Sequence, residues 1–254
     1  GKYTEEINKK YCEEQGYVYH VEKDDNKIKT ELEGRSATWY KPKFITEVFE
    51  THNPDYVLFL DADVIPVHSN FISNYIKQIS TSNEIIAGNI MYNDKNRLPN
   101  LLRWKYGMEK EQKSLKFRKL YPILNVRGAN FLIKKELALK HPFPVLPEKY
   151  GFIDTRFFFK FNKNNICVIN NPVFHLGLEN NDVFLNKTKN AVANALYLFL
   201  KKDQLANQIS IVATYKKIYF LKWILAYIYS KSHKYLEKNL LSDNPSILFF
   251  QIYK

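Results

Sequence analysis

Tyr56-Val57-Leu58-Phe59-Leu60-Asp61-Ala62-Asp63-Val64-Ile65-Pro66 is the stretch on which the reading of this chain turns. Five uncharged residues run into two aspartates one residue apart, and a proline follows. An apolar run of this length after Asn53-Pro54-Asp55 predicts a strand buried on both faces, of the kind found inside a parallel sheet. Carboxylates at the C-terminal end of such a strand fall where open α/β sheets bind ligands. Alternation of side chains puts Asp61 and Asp63 on the same side. Two hard oxygen ligands suit a divalent cation that keeps waters and completes its shell from a diphosphate. The plainer alternative is a polar strand end that caps a following helix, a task that needs only one of the two acids.

The chain of 254 residues has the size of one large α/β domain, or of one domain with a helical appendage. Its 45% hydrophobic content is enough to fill a core. A formal charge of +12 points to anionic partners: a nucleotide diphosphate, an anionic membrane surface or nucleic acid. No nucleic-acid-binding motif accompanies the charge, so it alone carries that last option. Cys12 and Cys167 are far apart and outside any CxxC spacing, which sets aside a disulfide framework and a zinc site and suits a reducing compartment. The expected location is cytoplasmic, peripheral on the inner face of the membrane if lipid is touched. Gly1-Lys2-Tyr3-Thr4-Glu5-Glu6 is polar from the start and unlike a signal peptide. No buried strand precedes the first helical pattern, so the chain is expected to begin partway into its domain.

Working outward, residues 4–15 have helical spacing with Thr4 as N-cap, and Tyr17–Val21 reads as a short strand. Asp24–Lys27 reads as a turn or loop. Gly34-Arg35-Ser36 opens a helix running to Phe49; a glycine and an arginine at a helix N-terminus form an anion site, or simply a helix start with a surface arginine. Phe71–Ile79 is helical in spacing and Glu84–Ile90 another strand. Residues 92–124, with Arg97, Arg103 and Lys105, read as a long basic, irregular connection. Asn125–Ile133 is a turn entering a strand, residues 134–139 a short helix, and Asp154 an N-cap for a helix reaching Phe161. Ile166–Gly177 reads as a strand, a break and a second short strand ending at His175. From Glu179 to about Lys201, and again from Ile209 to Lys254, the pattern is helical. Ile218–Tyr229 is apolar, but at twelve residues interrupted by Lys222 it is too short to span a bilayer. Flanked by lysines, it suits a membrane surface or a packed helix.

Taken together and in order, four segments resemble bacterial family-2 glycosyltransferases with a GT-A fold. They are the apolar-Asp-Ala-Asp strand, Arg127-Gly128-Ala129-Asn130-Phe131-Leu132-Ile133, Tyr150-Gly151-Phe152-Ile153-Asp154-Thr155, and Asn171-Pro172-Val173-Phe174-His175-Leu176-Gly177-Leu178-Glu179. Leu102–Gly107, Phe184–Thr188 and Asn244–Lys254 also resemble the branch of that family common in Bacteroidetes. The resemblance implies an α/β, Rossmann-like GT-A domain with a mixed, mostly parallel sheet over residues 1–205 and a helical extension over 206–254. It implies inverting, metal-dependent transfer of a sugar from a nucleotide-diphosphate donor, a UDP-sugar above all. The acceptor would be a hydroxyl of a glycan or lipid-linked acceptor in surface polysaccharide or glycolipid synthesis. Asp61 and Asp63 would be the metal- and donor-binding pair, with Mn2+ or Mg2+ on Asp63. Asp154 would take the acceptor's proton, and His175 would stand beside the metal and diphosphate. Arg35 and Arg103 would contact the donor.

Three features depart from the family's pattern. The nucleoside-binding strands expected at the front are absent from residues 1–254, Ile153 stands where a glutamate usually precedes the catalytic aspartate, and Trp39 replaces an arginine. These departures motivate the alternative of a non-catalytic glycan- or membrane-binding relative. A phosphohydrolase of the haloacid dehalogenase type also carries Asp-x-Asp after a buried strand, but the later lysine and acidic pair it needs are not clearly placed.

Overall fold

The computed structural model describes residues 2–32, 40–93, 101–141, 151–204 and 206–254. Helix α1 (Lys2–Glu14) has few apolar residues because part of its inner face is polar. Thr4 and Asn8, one turn apart, are buried; the Thr4 hydroxyl donates to the Ala62 carbonyl and Asn8 Nδ2 to that of Val64, at 3.1 Å. Thr4 therefore lies inside the helix and is not its cap. Residues 17–24 run without a strand partner, so the strand expected over Tyr17–Val21 does not form. The loop expected at Asp24–Lys27 is instead the start of α2 (Asp25–Leu32). Asp24 Oδ1 accepts the N–H groups of Asn26 and Lys27 at 3.0 and 2.9 Å, which is N-cap geometry. Helix α3 (Tyr40–His52) buries Ile45 and Phe49. Arg35 and Trp39 lie outside the described residues.

One five-stranded mixed sheet organises the rest, formed by β1 (Tyr56–Leu60), β2 (Val64–Pro66), β3 (Ile85–Met91), β4 (Asn130–Lys134) and β5 (Ile166–His175). Their order is β1-β4-β3-β5-β2. Only β3 and β5 pair in parallel; the other three pairings are antiparallel, which corrects the expectation of a mostly parallel sheet. The reason lies in the connections. Helix α4 (Phe71–Ile76) precedes β3. After β3 the chain forms α5 (Leu102–Tyr106), a π turn over Gly107–Glu111, α6 (Leu115–Leu120) and α7 (Pro122–Asn125). It then re-enters the sheet at the end where β3 left it, so β4 runs back. The stretch expected to be irregular is thus largely helical among its described residues. Likewise, three residues between β1 and β2 are far too few for the crossover that a parallel return requires.

Strand β1 was expected to be covered on both faces inside the sheet. Among the described residues it is an edge strand, paired only with β4, and all five of its residues are half-buried. Strand β5 is continuous through Asn171-Pro172 where a break was expected, and the irregularity is instead a register shift against β3 between Ala87 and Asn89. A buried polar network holds this bulge. Arg118 on α6 donates to the carbonyls of Gly88 and Ile169 at 2.7 and 2.5 Å, and Asn130 Nδ2 to those of Asn89 and Asn171 at 3.0 and 2.9 Å. Tyr75 donates to Asn130 Oδ1 at 2.5 Å.

The bulge has a geometric consequence for the acidic turn. In a flat sheet β1 and β2 would stand four strand spacings apart, about 19 Å. The four residue steps from Leu60 to Val64 span at most about 14 Å. The sheet therefore curls at its C-terminal end, which bulges promote, and Asp61-Ala62-Asp63 bridges the curl.

Helix α8 (Lys135–Lys140) follows β4, and α9 (Ile153–Phe158) precedes β5. Asp154 sits in the first turn of α9 and does not cap it; Phe152 holds the cap position at φ 65°. Helix α10 (Asn181–Leu200) then leads to α11 (Ser210–Ile218), α12 (Lys222–Leu240) and α13 (Ile247–Tyr253). Val212 on α11 packs with Ala195, Leu198 and Tyr40, while Leu236, Leu240 and Phe250 pack with Leu102 and Leu185.

Candidate functional site

The acidic turn is pinned at both ends. Asp61 N–H donates to the Ala129 carbonyl just before β4, and Leu176 N–H donates to the Asp63 carbonyl just after β5, at 3.3 and 2.9 Å. The chain turns here and does not continue as a strand, so alternation no longer governs the two carboxylates. Each is held by a different set of neighbours, and two poles result.

The first pole collects Asp61, Lys41 and Asp154. Lys41, in the first turn of α3, places Nζ 2.5 Å from Asp61 Oδ1 and 5.3 Å from the centre of the Phe59 ring. Burial works against the Lys41 ammonium, but Asp154, Asp61 and Asp63 outweigh it and raise its pKa. Burial pushes Asp61 up to about 6, against the pull of Lys41 and with help from Asp154 and Asp63. The Asp154 carboxylate lies directly over Gly128, where even a methyl group would overlap it.

The second pole collects Asp63 and His175. His175 Nε2 is 3.8 Å from Asp63 Oδ2, and the Asp63 carboxylate fills the space where a Cβ on Gly177 would stand. Burial lowers the His175 pKa, with Asp63 working the other way. The neutral imidazole is thereby favoured, the form that binds metal ions. Its ring stacks on Tyr92 at 5.8 Å, and Tyr92 donates to Glu111. Glu111 also takes Arg103 at 3.0 Å, and Arg103 Nε approaches Glu179 at 3.8 Å. Burial raises the Glu111 carboxyl, yet Arg103 and Arg127 overcome it and hold the group low. Arg103 is therefore chiefly engaged by protein carboxylates, and its buried Nη1 has no hydrogen-bond partner.

One cavity of about 1350 Å³ joins the poles, taking in Asp61, Asp63, Arg103, Asp154 and His175. Of the residues expected from sequence, these five are brought together, and Arg35 lies outside the described residues. The cavity is also lined by β1 and by the segment from Val18 to Lys23.

Among the described residues, no three His, Cys, Asp or Glu side chains form a ready metal cage. The pair Asp63 and His175 nevertheless fits a hard cation that keeps waters. Adjacent octahedral ligands at about 2.1 Å from one ion stand about 3 Å apart, so His175 Nε2 and Asp63 Oδ2, now 3.8 Å apart, would close by less than about 1 Å on loading, and the open cavity leaves room for the remaining ligands. Asp61, the other expected ligand, has its Oδ1 paired with Lys41 in this structure.

Sequence reasoning missed Lys41, Tyr92, Glu111 and the spatial roles of Gly128 and Gly177. The glycines lay inside quoted motifs, yet nothing in a linear reading says which carboxylate presses on which backbone. Lys41 carried no signal at all, being one lysine among many. No protein-family model matches the chain, and no curated protein matches it.

Proposed function

We propose that this chain is a glycosyltransferase with a GT-A-type domain. On this reading it moves a sugar from a nucleotide-diphosphate donor, a UDP-sugar above all, to a hydroxyl of a glycan or lipid-linked acceptor with inversion. The observation that carries the reading is the split of the acidic residues into two poles across one cavity. Asp63 and His175 form one, and Asp61, Lys41 and Asp154 the other, within electrostatic reach of each other. A single displacement needs its base and its leaving group on opposite sides of the reacting carbon, and Asp154 and the Asp63–His175 pair would take those two sides.

In this reading Asp154 accepts the proton of the acceptor hydroxyl as its oxygen bonds to the anomeric carbon. The bond from that carbon to the diphosphate oxygen breaks, and the diphosphate leaves with the electron pair. Lys41 keeps its ammonium charge among Asp154, Asp61 and Asp63, beside the group that takes the proton. Asp63 and His175 would hold Mn2+ or Mg2+, whose contribution when bound is to neutralise the leaving diphosphate. Arg103, in the cavity lining, would contact the donor. The cavity between β1 and the Val18–Lys23 segment has the room for a nucleoside, although ligand pockets of about 300–1000 Å³ are usual and this one is larger and open.

The test is turnover of a panel of nucleotide-sugars by the full chain with Mn2+, scored as transfer or hydrolysis. The proposal expects turnover that Asp63→Ala abolishes. Absence of turnover across the panel, together with unchanged UDP binding by Asp63→Ala, overturns it in favour of a non-catalytic binding module.

A further inference from the structure

Helix α12 carries its apolar stripe on the wrong side for a packed helix. Phe220, Trp223, Ile224, Tyr227 and Ile228 follow the i, i+3, i+4, i+7, i+8 spacing of a core-facing stripe. Here Phe220 is 78%, Trp223 77% and Tyr227 67% exposed. All nine residues from Trp223 to Lys231 are exposed, so this half of the helix stands clear of the body. Only its C-terminal half is anchored, through Leu236 and Leu240.

The charges around the stripe have one sign. Lys216, Lys217, Lys222, Lys231 and Lys234 flank it, and no acidic residue occurs between Asp203 and Glu237. Lys222 Nζ lies 4.2 Å from the Tyr219 ring centre and Lys231 Nζ 5.8 Å from that of Tyr227. The lysine ammonium groups thus lie against aromatic rings at the two ends of the stripe. Among the described residues no helix is long and apolar enough to cross a membrane, so the stripe is suited to lie on a surface and not to span one.

We propose that the exposed face of Phe220–Tyr235 docks on an anionic lipid surface, with the aromatic stripe in the headgroup layer and the lysines on lipid phosphates. The charge complementarity is with an extended anionic surface, because lysines lie at both ends of the stripe and no acidic residue interrupts them. Aromatic rings with basic flanks are the composition that interfacial helices use. This inference does not rest on glycosyl transfer.

The experiment is flotation of the full chain with vesicles of phosphatidylcholine alone and with vesicles of equal parts phosphatidylcholine and phosphatidylglycerol. The chain is expected to float with the mixed vesicles and not with the neutral ones, and to be released by high salt. The variant Phe220→Ser/Trp223→Ser/Tyr227→Ser is expected to lose flotation. Lys217→Glu/Lys231→Glu, which leaves the stripe intact, is expected to bind at least about tenfold more weakly. All five side chains are exposed, so both variants keep the packed core. Failure of the wild-type chain to float overturns the proposal, as does flotation of the serine variant equal to wild type. A wild-type dimer that does not float, and that the serine variant turns into a monomer, also overturns it and assigns the face to a second copy of the chain.

Discussion

Gly177 and Gly128 act through the side chain they lack. Each lets a carboxylate lie against the backbone where a methyl group would overlap it, Asp63 in one case and Asp154 in the other. Overpacking of this kind costs about 1–3 kcal/mol or displaces the intruding group. Gly177→Ala is therefore expected to weaken UDP–Mn2+ binding while leaving the helical circular dichroism intact; unchanged binding by calorimetry would separate Asp63 from the donor. Gly128→Ala is expected to spare donor binding and lower turnover, as Asp154→Asn should by about 10²–10⁴ in kcat. At this scale the acids and the histidine were legible because chemistry restricts them to few residue types. Lys41 was not, since its meaning comes only from α3 lying beside the acidic turn.

Among the elements, the bulge between β3 and β5 and the helix cap at Asp24 each rest on a few polar contacts. Arg118→Met leaves the carbonyls of Gly88 and Ile169 without their donors, at about 1–3 kcal/mol for each buried group left unpaired. It is expected to lower the denaturant midpoint by far more than Lys116→Met on the exposed face of the same helix. Equal midpoints would remove the network from the account of the curl. A second cluster ties the start of α2 to α3: Lys27 bonds Glu22 and Glu47 at 2.9 and 3.2 Å, and Tyr40 bonds Glu22 at 3.1 Å. Backbone N–H donation near Asp24 and the Lys27 ammonium hold the Glu22 carboxyl down at about 2. Because that folded-state value lies below the ordinary one of about 4.3, its stabilisation is present above that value and is lost as pH falls towards 2. Melting curves of Glu22→Gln should fall less steeply than wild type over that window, and parallel curves would refute the assignment. Helices with clear periodicity, such as α10, were readable in advance. The helical character of the described part of residues 92–124 was not, because basic surface residues hid three short helices whose apolar anchors, such as Leu102, contact distant parts of the chain.

For the molecule as a whole, strand direction was the least legible property. The apolar run at Tyr56–Leu60 announced a strand, but not that β4 would run against it or that its other edge would face a cavity. Those outcomes depend on where the chain re-enters the sheet, information that no local window contains. The α/β class was readable, the pairing pattern was not, and the candidate site was readable in its acids but not in its division into poles. That division is the central claim, and calorimetric titration of UDP with Mn2+ into wild type, Asp63→Asn and Asp154→Asn tests it most directly. The account predicts that Asp63→Asn loses binding by at least about tenfold while Asp154→Asn binds as wild type does and fails only in turnover. Equal loss of binding in both variants, or in neither, would contradict it.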